Sequence, residues 1–423
     1  MLSSGLFLLL ILSAVFFLSG NWVLSFTSLD EGRNMGAVLN MLRTGDLVSP
    51  QYNCLPRFEK PPLLYWLVVG SSLLLGLNEF SARLVSGLSA TGLVALTYLM
   101  ARDLFSREVA FKAGLVLMTF PHLWVESRAV VPEMLNTFLA MLGLFLFLRG
   151  RFTLGWLSLA LTFLTKGPVG VVLAVGIYTL WRRRLDFLEP KGVALFLLVG
   201  FSWYVAMFLQ HGYEYFYRFF IYENLMRYTG ERSTHPAPFY YYLPVIALGT
   251  LWYLPLYPKL FRSFRREWTP LLLWVLFVLL FFSLASNKLH HYILLAYPAL
   301  ALLLAHVTSD GYLRRTVVVS VGVLFLLLLA LHLYEGQRFT PKAYPIVQNY
   351  LGPTHFYRAE DSALVFYSGK CVKTLQQPSQ AQGLVVTKEN YRESFPGCAE
   401  LLRGREFDGL YLLLECKGHY LIR

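Results

Sequence analysis

Long apolar runs, separated by short polar and charged segments, recur along the chain from the N-terminus to about Leu333. About twenty apolar residues in a helix cross the ~30 Å hydrocarbon core of a bilayer, so the pattern predicts a polytopic α-helical membrane protein with roughly 11–13 transmembrane helices. The first run follows no basic segment and contains no small-residue cleavage site, so we expect a retained helix rather than a signal peptide. The predicted spans lie near residues 5–26, 82–101, 109–124, 134–148, 155–165, 168–181, 193–209, 239–257, 270–286, 290–307 and 316–333.

The run from Leu63 to Leu77 decides the topology. It is short for a crossing and suits a re-entrant or interfacial helix better. If it does not cross, the basic clusters all fall on one side, which is then cytoplasmic by the positive-inside rule. The other, extracytoplasmic side receives residues 27–81, 125–133 and 210–238, the turns near 166 and 287–291, and the tail after 334. The basic clusters are Arg102 and Arg107; Arg149 and Arg151; Arg182 to Arg184 with Lys191; Lys259, Arg262, Arg265 and Arg266; and Arg314 with Arg315.

A surface helix is predicted over residues 28–45. Ser28 and Glu31 have the spacing of a capping box, and Gly45 suits the end of the helix. The apolar residues recur at i, i+3, i+4 and i+7, which indicates an amphipathic helix lying along the membrane surface. These apolar residues are Met35, Val38, Leu39 and Leu42.

The tail changes in character after about residue 335. The segments 363–367, 383–387 and 409–414 are β-rich, and 388–403 reads as a helix. We therefore predict two domains, a transmembrane domain over 1–335 and a small periplasmic α/β domain over 336–423.

Composition supports lipid as the main solvent. The 423 residues are 56% hydrophobic and 15% charged, against about 25% charged in soluble domains. The net charge of +12 lies in short clusters between apolar runs, which disfavours nucleic acid as a partner. The four cysteines show no CxxC spacing typical of zinc or redox motifs. Three of them lie in the tail, where a disulfide is expected if the tail is exported, and the pairing, including Cys371 with Cys398, stays open.

Several charged residues are candidates for chemistry near the outer face. Asp30 follows the first span; a carboxylate at a helix start is commonplace, but Glu31 fits the capping role better and leaves Asp30 unexplained. Glu59 and Lys60 precede two prolines, which hold them rigidly at the bilayer surface, as a snorkelling ion pair or as a grip for a lipid phosphate. Lys166 lies between two short apolar runs, where charge is costly and often functional.

Further candidates lie in the outer loops. Arg128 and Glu133 flank Pro132, with a helix-start carboxylate as the ordinary alternative for Glu133. The loop 210–238 is rich in tyrosine and arginine and contains Arg227 and His235. The turn after residue 286 contributes Lys288, His290, His291 and Tyr292. Two adjacent histidines do not share a helical face, so a metal site is a minor alternative. Together, the carboxylates and fixed cations suit an anionic lipid-phosphate substrate.

Six motifs occur in order over about residues 27–335. They are Leu29-Asp30-Glu31, the run Phe58 to Trp66, Asn78 to Arg83, Leu164 to Pro168, Pro238 to Pro244, and Lys288 to Tyr292. These motifs resemble those of the bacterial aminoarabinose transferases of lipid A, which belong with the protein O-mannosyltransferase-like glycosyltransferases of the type C membrane fold.

The resemblance implies a polyprenyl-phosphate-linked sugar as donor and inverting transfer on the outer face of the inner membrane. It implies that Asp30 is the base and that Lys60 and Arg227 bind the donor phosphate. The family usually has Leu-Pro-Asp-Met where this chain has Val131-Pro132-Glu133-Met134, which keeps the charge of Glu133 and adds a methylene group. A proline is usual where His290 stands.

The sequence therefore predicts a glycosyltransferase that modifies lipid A or a related envelope glycolipid at the bacterial inner membrane. The expected site contains the catalytic residues Asp30 and Glu133. No cofactor is required by such a reaction, because the donor already carries its leaving group. Two alternatives stay open: a protein hydroxyl as acceptor, and a transporter in which the charges line a translocation path. The residues expected to bind donor or substrate are Glu59, Lys60, Arg128, Lys166, Arg227, His235, Lys288, His291 and Tyr292.

Overall fold

The structure, a computed structural model, describes residues 4–27, 29–231 and 235–416, without the side chain of Arg227. It is predominantly helical, with one larger β-sheet near the C-terminal end of the chain. The α-helices are Ser4–Leu18, Asp30–Thr44, Leu63–Leu75, Glu79–Leu104, Arg107–Met118, Pro121–Glu126, Pro132–Leu148, Phe152–Lys166, Pro168–Arg182, Pro190–Gly200, Ser202–Phe216, Met226–Thr229, Tyr242–Gly249, Tyr257–Arg262, Thr269–Leu284, Tyr297–Val307, Asp310–Glu335, Thr340–Asn349 and Ser362–Ser368.

Within the described ranges, five helical segments are long and apolar enough to cross a membrane, or six if one bent pair forms a single span. Five shorter apolar helices accompany them, among them Leu63–Leu75, which matches the short helix predicted there. The prediction of a polytopic helical membrane protein is confirmed, and the total number of crossings stays a prediction. The longer candidates are Glu79–Leu104, Pro190–Leu225, Arg266–Leu284, His290–Val307 and Asp310–Glu335, and the bent pair is Phe239–Gly249 with Leu251–Arg262.

The chain divides into two compact units. The first contains residues 1–19, 58–71 and 83–324, and the second contains residues 20–57, 72–82 and 325–423. The second unit thus includes two stretches from the N-terminal part of the chain, which the sequence placed in the transmembrane domain. The domain boundary predicted between residues 335 and 336 stays a prediction.

Helices of the first unit approach closely where small residues face each other. The helices Pro132–Leu148 and Phe152–Lys166 pack together at Gly143 and Gly155, and a Cβ atom added at either glycine would lie 3.2–3.3 Å from the backbone oxygen of the other. Small residues at such a contact allow the close backbone packing that drives helix association in lipid. This pair of helices supplies two of the charged residues described below.

The second unit contains a mixed five-stranded sheet. The strand order is Lys373–Thr374, Thr354–Tyr357, Gly383–Lys388, Gly409–Cys416 and Ala399–Glu406. The first three strands run parallel, and the last two pairings are antiparallel. The strands predicted at 383–387 and 409–414 are present in this sheet, as expected for a small α/β fold.

One prediction for the tail is wrong, and a second is correct only in part. The run 363–367 lies in the helix Ser362–Ser368, which begins where the Asp361 carboxylate accepts the Leu364 N–H and ends at Gly369 with φ of 64°. Short apolar runs do not distinguish a buried helix from a strand by periodicity. The helix predicted over residues 388–403 is present only as the 3₁₀ helix Glu389–Ser394. Ala399–Glu406 instead forms an edge strand, which pairs with Gly409–Cys416.

The predicted surface helix is present as Asp30–Thr44 and ends at Gly45 with φ of 74°. Ser28 lies outside the described residues, so the predicted capping box is only partly visible. The Glu31 carboxylate accepts hydrogen bonds from the Thr27 N–H and hydroxyl, at 3.0 and 2.9 Å, which satisfies groups at the helix start. Glu31 therefore satisfies backbone groups at the start of this helix, the role that the sequence predicted for it rather than for Asp30.

Two disulfides lie within the second unit. Cys54 pairs with Cys371, and Cys398 pairs with Cys416. Cys371 and Cys398 are therefore not partners of each other. The bond from Cys54 joins the N-terminal stretch of this unit to its C-terminal domain, which the sequence alone did not indicate.

Candidate functional site

A cluster of opposite charges, Glu133, Lys166 and His291, lies within the first unit. The Lys166 ammonium donates a hydrogen bond of 2.9 Å to Oε1 of Glu133, and Nε2 of His291 lies 3.3 Å from the same oxygen. Glu133 is nearly fully buried, at 5% exposure of its side chain. Its second oxygen, Oε2, has no hydrogen-bond partner among the described residues. We call these three residues the carboxylate cluster.

Two further residues surround the carboxylate cluster. The Lys166 ammonium lies 4.7 Å from the centre of the Tyr292 ring, a cation–π contact. Lys60 acts electrostatically on Glu133. Its ammonium group donates no hydrogen bond within the described part of the chain. The carboxylate cluster thus offers a carboxylate oxygen that can accept a further hydrogen bond, and Lys60 beside it is available to bind an anion.

Local sequence explains how the carboxylate cluster is positioned. Pro132 starts the helix Pro132–Leu148, which places Glu133 in its first turn, where the helix dipole favours a negative charge. Lys166 is the last residue of its helix, since Gly167 with φ of 86° ends it. A cation at a helix C-terminus is favoured in the same way. His291 lies in the 3₁₀ turn His290–Ala296.

A second cluster, which we call the histidine cluster, consists of His122, Glu126 and His290. Nε2 of His122 lies 2.9 Å from Nδ1 of His290, and Nδ1 of His290 lies 3.3 Å from Oε1 of Glu126. The sequence interpretation singled out His290 but missed its two partners. The signal was the i, i+4 spacing of His122 and Glu126, which places both on one helical face.

Asp30 lies in the second unit. It is exposed at the first position of the helix Asp30–Thr44. One turn further on, Arg33 makes a two-pronged ion pair with Glu360, at 2.9 and 2.5 Å. Burial lowers the pKa of Arg33, but the hydrogen bonds and charge of Glu360 outweigh it, so the pKa is raised and the guanidinium stays charged.

Of four other residues predicted to bind substrate, three form hydrogen bonds within the protein, and the side chain of the fourth is outside the described residues. The Arg128 guanidinium donates to the carbonyls of Phe16 and Ser19, at 2.9 and 2.6 Å, and closes the end of the first helix. The Lys288 ammonium donates to the carbonyls of Ala285 and Ala237. The His235 N–H donates to the Asn287 side chain at 2.9 Å. The side chain of Arg227 lies outside the described residues.

Glu59 is half-buried in the first unit. Its Oε2 atom has no hydrogen-bond partner among the described residues. The structure therefore brings Glu133, Lys166, His291 and Tyr292 together and gives Arg128 and Lys288 backbone carbonyls as partners. Roles in substrate binding stay predictions for all of them.

Comparisons with known proteins bear on the fold and on the enzyme class. The family described as dolichyl-phosphate-mannose-protein mannosyltransferase matches residues 35–216. The structure of ArnT from Cupriavidus metallidurans bound to undecaprenyl phosphate superposes with a TM-score of 0.80 at 21% identity and covers 96% of this chain and 97% of that one. At this identity the similarity establishes the fold. The fold is that of the type C membrane glycosyltransferases, as the sequence predicted.

Sequence relatives define the family more closely. An uncharacterized protein of Aquifex aeolicus (strain VF5) is 46% identical over 98% of this chain and 100% of its own length. The undecaprenyl phosphate-alpha-4-amino-4-deoxy-L-arabinose arabinosyl transferase of Aeromonas salmonicida (strain A449) is 35% identical over 66% of this chain and 56% of its own length. The chain thus spans just over half the length of that transferase. The chain belongs to the aminoarabinose transferase-like family of type C glycosyltransferases.

The predicted family, fold class and enzyme class are therefore confirmed. The relatives named as arabinosyl transferases act, by their names, on a sugar carried on undecaprenyl phosphate. This chain is a multi-pass membrane protein. The relatives whose names state an activity are transferases, as is the family that matches residues 35–216.

Proposed function

We propose that this protein transfers a sugar from a polyprenyl-phosphate carrier to lipid A or a related envelope glycolipid on the outer face of the bacterial inner membrane. The observation that carries the proposal is the buried Glu133, which shares one oxygen with Lys166 and has no partner for the other in the described chain. Such a carboxylate beside fixed cations suits a reaction in which a phosphate leaves and a hydroxyl loses its proton.

The reaction needs no separate activation of the donor. The acceptor hydroxyl oxygen attacks the anomeric carbon, the bond from that carbon to the phosphate oxygen breaks, and the polyprenyl phosphate leaves with the electron pair. Attack from the face opposite the leaving group inverts the anomeric centre. Lysine ammonium groups stabilise the charge that develops on the departing phosphate, and we assign this part to Lys60 and Lys166.

The proton of the acceptor passes to a carboxylate. The family resemblance gives this part to Asp30, and the exposure of Asp30 at a helix start is compatible with a base that meets an incoming substrate. Glu133 then holds Lys166 and His291 in place, since all three share the oxygen Oε1. The charge that Glu133 carries is the same as that of the family's usual aspartate.

The test is transfer in proteoliposomes that contain the purified protein and a polyprenyl-phosphate-linked sugar. Lipid A and a serine- and threonine-rich peptide are offered in parallel, because the family match to protein mannosyltransferases favours the peptide as second candidate. We expect labelled lipid A and a Glu133→Gln variant with a strongly reduced rate. If the peptide is labelled and lipid A is not, the acceptor is a protein hydroxyl rather than a glycolipid. Transfer to neither acceptor would overturn the proposal.

A further inference from the structure

The histidine cluster has a geometry that the proposed transfer reaction does not use. His122 and Glu126 lie one turn apart on the short helix Pro121–Glu126, and His290 begins the 3₁₀ turn His290–Ala296. Their three nearest ligand atoms are Nε2 of His122, Oε1 of Glu126 and Nδ1 of His290. The distances between these atoms are 2.9, 3.3 and 3.6 Å. The cluster therefore brings two ring nitrogens and one carboxylate oxygen within 3.6 Å of one another.

These distances match the edges of a metal coordination tetrahedron. Nitrogen and oxygen ligands of Zn²⁺ lie about 2.0–2.1 Å from the ion, so two ligands of a tetrahedral site are about 3.3 Å apart. The three edges of the histidine cluster bracket that value. Two histidines and one glutamate with a fourth position left open also form a ligand set used by zinc enzymes. We propose that His122, Glu126 and His290 bind a divalent transition-metal ion of the zinc class.

A neighbouring tyrosine orients one of the ligands. The Tyr297 hydroxyl lies 2.6 Å from Nδ1 of His122, on the side of the ring away from the cluster. Tyr297 is fully buried, so this contact holds the imidazole in one orientation. Metal-binding histidines almost always use their second ring nitrogen for such a contact.

Burial differs between the ligands in a way that suits ion binding. The side chains of His122 and Glu126 are 9% and 5% exposed, whereas that of His290 is 51% exposed. The exposed side provides an entry path and room for the fourth ligand, a water molecule or a substrate group. Imidazole favours zinc, copper, iron and nickel over Mg²⁺ and Ca²⁺, which prefer oxygen ligands alone.

The alternative occupant of this geometry is a proton, shared among two histidines and a glutamate without an ion. Metal binding by the intact protein separates the two. The full-length chain is purified in detergent with an affinity tag that contains no histidine, treated with a chelator and titrated with Zn²⁺ against a metal-sensitive dye. Co²⁺ is added in a second titration, because its visible absorption reports a tetrahedral site. We expect one ion per chain.

Two variants test whether the ion binds at the histidine cluster. His290→Ala removes a half-exposed ligand, and we expect at least about a hundred-fold weaker Zn²⁺ binding and loss of the Co²⁺ spectrum. Tyr297→Phe removes only the orienting hydroxyl, and about ten- to a hundred-fold weaker binding is expected. His332→Ala is the matched control, since His332 is an exposed histidine outside the cluster. It should bind the ion as the unaltered protein does.

Two results would overturn the metal site. One is the absence of Zn²⁺ binding by the unaltered protein, and the other is unchanged binding in both His290→Ala and Tyr297→Phe. Neither result bears on sugar transfer, because the readout is bound metal rather than activity. A failed metal titration and a failed transfer assay are therefore distinguishable.

Discussion

Asp30 and Glu31 are neighbours at the start of one helix, yet their side chains have different surroundings. Asp30 is exposed, whereas Glu31 is 5% exposed and accepts hydrogen bonds from Thr27. The sequence alone separated the two by the spacing typical of a helix cap. Their difference allows the chemical and structural contributions of adjacent carboxylates to be measured in the same helix.

Asp30→Asn should abolish most transfer while the protein stays inserted and folded. The amide is nearly isosteric but does not accept the hydroxyl proton, and general-base catalysis contributes about 10²–10⁴-fold. The measurement is turnover in proteoliposomes with the polyprenyl-linked sugar. Glu31→Gln is the control, and it should cost on the order of 1 kcal/mol of local stability and keep much of the rate. Near-normal turnover by Asp30→Asn would transfer the role of base to Glu133.

Lys60→Ala should weaken use of the lipid-linked donor. A hydrogen bond between a charged group and phosphate contributes roughly 1.5–3 kcal/mol, which corresponds to about ten- to a hundred-fold. Lys60→Arg should restore part of the loss, because a planar guanidinium replaces a compact ammonium. Donor dependence of the initial rate measures both. If a correctly inserted Lys60→Ala protein shows the same donor dependence as the unaltered protein, Lys60 does not bind the phosphate.

Individual candidate residues could be chosen from the sequence, but their partners could not. Glu133 and Lys166 were each conspicuous as charges beside apolar runs, yet their contact joins two helices. Arg128 looked equally suited to bind phosphate, and only the structure shows its guanidinium bonded to carbonyls of the first helix. Charge and position in the chain therefore predicted where polar residues gather and left open which of them pair.

At the scale of elements, the helix Asp30–Thr44 packs closely on the helix Ser362–Ser368. A Cβ atom at Gly32 would lie 2.3 Å from the backbone nitrogen of Ala363 and 2.4 Å from the carbonyl carbon of Ser362. The Ser362 hydroxyl also donates to the Leu29 carbonyl at 2.7 Å. The amphipathic pattern predicted the first helix correctly, but the second was taken for a strand. Both results follow from length, since fifteen residues show a helical period and seven do not.

Gly32→Ala should destabilise the second unit. Its methyl group meets backbone atoms, which cannot rotate away, and overpacking of this kind costs about 1–3 kcal/mol. The melting temperature in detergent measures the effect. Gly322→Ala is the matched control, because a Cβ atom there meets nothing within 4 Å. It should melt at or slightly above the temperature of the unaltered protein. Equal melting temperatures for the two variants would contradict the close approach at Gly32.

At the scale of the whole molecule, the sequence predicts orientation as well as fold. The basic clusters lie between apolar runs on what the positive-inside rule makes the cytoplasmic side. The two disulfides of the second unit are compatible with an exported tail, since such bonds persist in oxidising compartments. The fold class could be predicted because hydropathy alone constrains spanning helices strongly. Which stretches of the chain form the second unit could not be predicted from the sequence, because contacts between residues far apart in the chain determine it.

Reporter fusions test this orientation. A reporter that is active only outside the cytoplasm should be active when fused after Arg423 and silent when fused after Arg184. The physical reason is the retention of arginine-rich loops in the cytoplasm during insertion. Activity is measured in intact cells, with protein amounts compared by immunoblot. An active fusion at Arg184 would reverse the orientation and place the proposed site on the wrong face.

The bond between Cys54 and Cys371 also sets an order of events during biosynthesis. The two cysteines are 317 residues apart, and nearly all of the membrane helices lie between them in the chain. The stretch around Cys54 leaves the ribosome early. Its disulfide cannot form until Cys371 has been synthesised, after the membrane helices between the two cysteines. A chain that stalls or is truncated before residue 371 therefore has no Cys371 with which Cys54 can pair.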